Sequence, residues 1–338
     1  MEIYREMTQG PALFQMGVPA IETFPATLFA RIRAHAVRAE ASASPLYPDP
    51  RGELELWREI AGYLAVARGI NCSPSQIIIT GGFSAGLGLA LTVLGLGGYT
   101  AWVENPGFPF TRKGLELARL SLAPVPVDAE GIDIDHGLRH HPDAKLVVVT
   151  PGQQAPLGPT LSLERRLHLL EWAAANQVWV IEHDYLSALQ LAGRAAPALA
   201  SLDRDARVIH IGSFSKTISP TVRLGSLVAP VELVSRFSEA ASCLAPPPGP
   251  GGATRNRRIH ARGPLYAPSP AHQARLCRQA TGAAGLSSSI CRRRSRRRTR
   301  PGRAAEIAGG SVGLGGRTRS LGVRHVSDAA FGLVCVAW

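Results

Sequence analysis

Lys216, one of three lysines in the chain, lies in the run Gly212-Ser213-Phe214-Ser215-Lys216-Thr217, and Arg223 follows seven positions later. A lysine amine attacks a carbonyl only when unprotonated, and desolvation or a neighbouring cation moves it toward that state. Ser213, Ser215 and Arg223 are the residue types that grip a phosphate, the arginine through a forked, charge-assisted pair. A phosphate-bearing aldehyde held by a lysine is pyridoxal phosphate. Because Ser-x-x-Lys alone matches by accident, a solvated lysine in an ordinary loop is the plain alternative, and the elements around it must decide.

Those elements alternate. The apolar run Val208 to Ile211 predicts a strand leading into the lysine segment. Upstream, Gln76 to Thr80 predicts a buried strand, and Gly81-Gly82-Phe83-Ser84 turns it into a helix through Leu94. A glycine turn that opens a helix aims free N–H groups and the positive dipole end at one point, which suits a phosphate. Further strands are expected over Thr100 to Glu104, Leu122 to Val127, Lys145 to Thr150 and Val178 to Glu182, the last ending His183-Asp184-Tyr185. Strand alternation places His183 and Tyr185 on one face and Asp184 on the other. Helices are expected from about Pro25, over Leu54 to Arg68, over Leu163 to Gln177 and over Val231 to Ala241. Alternation from Gln76 to Leu227 predicts an α/β fold with a mostly parallel sheet.

Taken together, Gly-Ser-Phe-Ser-Lys-Thr with its following Pro220 and Arg223-Leu224-Gly225 resembles the cofactor segment of fold-type-I, class I/II aminotransferases. It is most similar to the aminotransferase-like domain of MocR-type regulators in the GntR group. The resemblance covers about residues 14–240 and implies a three-layer, PLP-dependent transferase-like fold. Lys216 would carry pyridoxal 5'-phosphate as a Schiff base and move a substrate proton, and Tyr185 would donate to the cofactor's phenolic oxygen. Gly82, Phe83, Ser84, Ser213, Ser215 and Arg223 would hold the phosphate, and Phe108 would lie against the ring. Tyr47, in Tyr47-Pro48-Asp49-Pro50-Arg51-Gly52, would reach the phosphate of the other subunit, which implies a homodimer. His183 falls where the family has the acid that pairs with the ring nitrogen, and only a local bulge would bring in Asp184 instead. Ala155 replaces a side chain that contacts the cofactor, with Gln154 as a possible substitute.

The implied activity is amino-group transfer between an amino acid and a 2-oxo acid. The alternative is effector sensing by the same chemistry without efficient turnover, as in a MocR-type regulator, whose winged helix-turn-helix domain is expected to be missing ahead of Met1. No run of apolar residues is long enough for a membrane helix, and the opening residues do not read as a signal peptide, so a cytoplasmic location is expected. The five cysteines are widely spaced and show no metal-ligand pairing.

Three segments are expected: an arm and helix over 1–45, a cofactor-binding large domain over 46–242, and a basic, low-complexity tail over 243–338. The tail has seventeen arginines, no lysine and two acids, a surplus larger than the +12 of the whole chain, so the first 242 residues are net acidic. Residues 292–298, Arg-Arg-Arg-Ser-Arg-Arg-Arg, and proline and glycine clusters leave no helical or strand period for most of its length. The small domain expected there is missing or disordered. The tail reads either as an arginine-rich arm binding nucleic acid non-specifically, or as a GC-rich coding sequence translated out of frame.

Overall fold

The computed structural model describes residues 26–41, 47–186 and 196–244. The N-terminal arm and the basic tail beyond Leu244 lie outside the described residues. Among the described residues, no helix is long and apolar enough to cross a membrane.

An eight-stranded sheet organises the chain: β1 (Ile77–Thr80), β2 (Thr100–Asn105), β3 (Ser121–Asp128), β4 (Gly131–Ile132), β5 (Leu146–Val149), β6 (Trp179–Asp184), β7 (Val208–Ser213) and β8 (Gly225–Val228). Their order is β1-β8-β7-β6-β5-β2-β3-β4. The five central strands from β7 to β3 run parallel, whereas β8 is antiparallel to both β7 and β1, and β4 is antiparallel to β3. Short all-apolar runs such as Leu146–Val149 are buried at every position, as parallel strands covered on both faces must be.

Among the described residues there are seven α-helices: α1 (Ala26–Ala41), α2 (Leu54–Arg68), α3 (Phe83–Leu94), α4 (Pro109–Leu117), α5 (Ile134–His140), α6 (Leu163–Asn176) and α7 (Val234–Leu244). Leu87, Leu91, Leu115 and Phe237 from α3, α4 and α7 pack on Ile181 and Ile211 of one sheet face. Ile134 and Leu169 from α5 and α6 pack on Val147 and Val180 of the other. A third cluster joins Leu56, Ile60 and Leu64 of α2 to β1 and to Phe214 in the lysine segment. The result is the α/β, three-layer, mostly parallel architecture that the sequence predicts.

The elements match their expected ranges closely. The expected strand at Gln76 starts one residue later, because Ser73 caps a single 3-10 turn over Pro74–Gln76. The last helix is preceded by a 3-10 turn, Val231–Leu233, and continues to Leu244.

Candidate active site

The parallel strands deliver their C-terminal ends to one edge of the sheet, where ligands collect in open α/β folds. That edge carries Glu104 and Asn105 from β2, Thr150 after β5, His183 and Asp184 from β6, and Ser213 from β7. Lys216 follows in the turn after β7 and is half-buried, and burial lowers the pKa of its amine. Ser213 Oγ lies 3.2 Å from Ser215 Oγ and accepts the Ser215 N–H at 3.3 Å. Both hydroxyls are thereby gathered beside the lysine.

The glycine turn meets the lysine segment through a close backbone approach. Ser213 pairs with Gly225 across β7 and β8. A Cβ at Gly225 would stand 2.9 Å from the Gly82 Cα and 2.8 Å from the Gly212 carbonyl oxygen, so only glycine fits. Gly82, the residue before α3, has φ 93, while a side chain there would meet nothing within 4 Å. Open space therefore faces the start of α3, whose first-turn amides at Phe83 and Ser84 have no intrahelical acceptor. Ser84 itself is exposed.

On the same side of the sheet, His183 is buried and stacked on Phe83, with centroids 3.4 Å apart and planes 15° apart. Phe108 lies 5.8 Å and Tyr185 5.1 Å from the imidazole. Burial pushes His183 down to about 3, opposed by the charge of Asp184 and reinforced by those of Lys216 and His210. Its Nδ1 is buried without a hydrogen-bond partner. Burial also holds the Tyr185 phenol above its ordinary value, with a smaller contribution from the charge of Glu104.

Asp184 takes the opposite face. Its Oδ2 accepts from Arg68 Nε at 2.7 Å and lies 3.1 Å from His210 Nε2, in a buried group behind the sheet. No bulge interrupts β6 there: His183 and Asp184 stay in register with Ile211 and Gly212. Gln154 is likewise committed, buried with its amide hydrogens directed at Glu104, Pro106 and Ala155.

The structure thus brings Lys216, Ser213, Ser215, Gly82, Phe83, Phe108, His183 and Tyr185 to one edge. Asp184 stands at that edge too, but its side chain is turned to the other face, toward Arg68 and His210. Arg223 is exposed in a left-handed backbone conformation, with φ 50, and Tyr47 is fully exposed. A cleft of about 650 Å³ lined by Asp49, Arg51, Gln76 and Ser235, among others, contains none of these groups. The buried residues that the sequence reading passed over are Glu104, Thr150 and Arg68. An acid closing the otherwise apolar run of β2 was the available signal for Glu104, whereas Arg68 reads as an ordinary cation in a helix's last turn.

A half-buried lysine of lowered pKa in a turn with two paired hydroxyls, a glycine-opened helix start against that segment and an orphaned imidazole nitrogen on the same side of the sheet fit a phosphorylated aromatic aldehyde. The family model described as aminotransferase class I and II matches residues 14–251, and the chain belongs to that family. It is 34% identical over 229 residues to the probable rhizopine catabolism regulatory protein MocR of Rhizobium meliloti, covering 68% of this chain and 46% of that protein. Aromatic-amino-acid aminotransferase 1 of Thermococcus litoralis is 26% identical over 231 residues, covering 66% of this chain and 55% of that enzyme. Among solved structures, a Pyrococcus horikoshii kynurenine aminotransferase superposes with a TM-score of 0.72 at 23% identity, covering 83% of this chain and 70% of that one, a likeness of fold. The chain spans about half the length of the curated relatives it matches.

Proposed function

We propose that this domain binds pyridoxal 5'-phosphate on Lys216 and exchanges it with amino compounds, serving as an effector-sensing domain of the MocR type. The observation that carries the binding reading is the Lys216 amine, whose pKa is lowered by burial, in the same turn as the paired Ser213 and Ser215, where Gly225 brings the lysine segment against Gly82 at the start of α3. Bound there, pyridoxal phosphate supplies an aldehyde that condenses with amines and a ring that draws electrons from their α-carbon. Ser213, Ser215 and the first-turn amides of α3 hold its phosphate, Phe108 limits ring tilt, and Tyr185 offers a phenolic donor.

Two features favour sensing over efficient amino-group transfer. His183, at the position expected to face the ring nitrogen, is neutral in its buried, stacked setting and contributes no negative charge. Asp184, the adjacent acid, is held by Arg68 and His210 on the far face. The greater similarity to the rhizobial regulator than to the archaeal aminotransferase points the same way. Amino acids and 2-oxo acids remain the ligand class, now as effectors.

Visible absorbance of the full chain titrated with pyridoxal phosphate, beside Lys216→Ala, tests the binding. A yellow absorbance band is expected for the parent chain and not for the variant. Equal bands in both, or none in either, would overturn the assignment of Lys216.

A further inference from the structure

Glu104 is the next-to-last residue of β2 and is almost fully buried. With Phe108, Arg112 and Thr150 it lines one small pocket. Its Oε1 accepts the Thr150 N–H at 2.9 Å, and its Oε2 lies 2.6 Å from Thr150 Oγ1 and 3.3 Å from Gln154 Nε2. The Gln154 amide has two hydrogens but three acceptors within reach. The other two are the carbonyl oxygens of Pro106, at 2.8 Å, and Ala155, at 2.7 Å. Gln154 Oε1 accepts the Leu157 N–H at 3.0 Å, which fixes the amide's orientation. The two carbonyl contacts are the shorter ones and take the hydrogens, which leaves the 3.3 Å contact to Glu104 Oε2 the weakest of the three and Thr150 as the main donor to the carboxyl group.

Thr150 serves the carboxylate with its N–H and with its hydroxyl, which donates to Oε2 at 2.6 Å, but a charge so deeply buried stays costly; a protonated acid carries no charge and turns the short contact round, its O–H donating to Thr150 Oγ1. We infer that Glu104 is a proton-operated positioning residue that controls how firmly the turn bearing Phe108 is clamped to the turn after β5. With the proton on Oε2, Gln154 holds both Pro106 and Ala155. When the proton leaves to solvent, Oε2 competes for a Gln154 hydrogen, and the Pro106 carbonyl loses its donor. Phe108, two residues on, and Tyr185, which feels the charge of Glu104, are the site groups that respond.

Other charged groups facing Glu104 do not mask this step. Arg112 donates to the Glu104 backbone oxygen at 2.8 Å and to Asn105 Oδ1 at 3.0 Å, and an arginine stays cationic throughout. Tyr185 is held above its ordinary value. Beyond Phe108, His183 is held far below its own. Burial raises Glu104 from its ordinary 4.5 to about 7, against the donors Thr150 and Gln154. A raised carboxyl gives a contribution that is complete below 4.5 and is lost as the pH rises through about 7.

The functional consequence rests on the reading of Phe108 and Tyr185 as walls of a pyridoxal phosphate site, so two measurements separate the claims. Amide hydrogen exchange in the cofactor-free full chain, corrected for the intrinsic pH dependence, reads the clamp directly. Protection over residues 105–111 is expected to fall about tenfold between about pH 6 and 8, as one protonation step allows. Glu104→Gln, whose amide reproduces the protonated acid's donor and acceptor, should keep the low-pH protection throughout. Parallel profiles in parent and variant, or a flat profile in the parent chain, would overturn the inference; the parent profile alone suffices if the variant does not fold. Pyridoxal phosphate affinity over the same range then tests the consequence, weakening with rising pH in the parent and not in Glu104→Gln. An absent Lys216-dependent band would instead sink the site reading and leave the exchange result standing.

Discussion

At the scale of single residues, His183 separates this site from an efficient electron sink. Its ring is sandwiched into an aromatic corner with Phe83 and Phe108 and is neutral at any physiological pH. An aspartate in its place would be a buried acid with no partner in the cofactor-free protein, and a group that holds a ring nitrogen's proton when the cofactor is bound. His183→Asp is therefore expected to lower the melting temperature of the cofactor-free chain and to show a larger rise on adding pyridoxal phosphate than the parent. Single-turnover conversion of the bound cofactor by an amino acid should quicken at least about tenfold, equivalent to about 1.4 kcal/mol. Equal thermal shifts and equal rates would remove His183 from the neighbourhood of the ring nitrogen.

At the scale of elements, α2, β6 and β7 are joined behind the site by Arg68, Asp184 and His210, whose side chains are 2%, 7% and 1% exposed. Arg68 also donates to the Ala196 carbonyl, while Glu182 accepts the N–H groups of Leu199 and Ala200 and Arg166 donates to Pro197. The segment after residue 195 is thus held by three buried charged side chains from three elements, Arg68 of α2, Arg166 of α6 and Glu182 of β6. Asp184→Ala leaves Arg68 buried and unpaired, which costs about 3–5 kcal/mol. Urea unfolding should show that loss, and a change within about 0.5 kcal/mol would mean that Arg68 finds water or another acceptor.

This back-side network also marks where sequence reading stops. Hydrophobic period and turn residues place β6 and α2 within a residue or two, and alternation alone sends His183 and Asp184 to opposite faces. Lys216 and the Gly82 turn are legible because local chemistry and glycine punctuation coincide there. Nothing local pairs Arg68 with Asp184, 116 positions away, or Glu104 with Thr150, 46 away. Such partners are set by strand order, and here β5 stands between β2 and β6. Arg223 has the residue type of a phosphate fork, and in the ligand-free chain its side chain is exposed on a left-handed backbone, a conformation that its sequence neighbours do not announce.

At the scale of the whole molecule, Tyr47 raises the question of a second subunit. Tyr47 is fully exposed, and Val37 of α1 and Leu54 and Val66 of α2 are exposed apolar residues on the same N-terminal elements. A phenol that stands fully exposed among the described residues suits a partner's site, and a second copy of this chain would supply it. If so, pyridoxal phosphate binding depends on association, and the Tyr47 hydroxyl contributes one hydrogen bond to a charged group, about 1.5–3 kcal/mol. Tyr47→Phe is then expected to weaken cofactor binding about ten- to a hundredfold while leaving the sedimentation coefficient unchanged. Dilution of the parent chain through its dissociation range should weaken binding in step with the loss of dimer. Affinity that stays constant across that range, together with an unaffected Tyr47→Phe, would place the complete site within one subunit, and the phosphate would then be held by the start of α3, Ser213 and Ser215 alone.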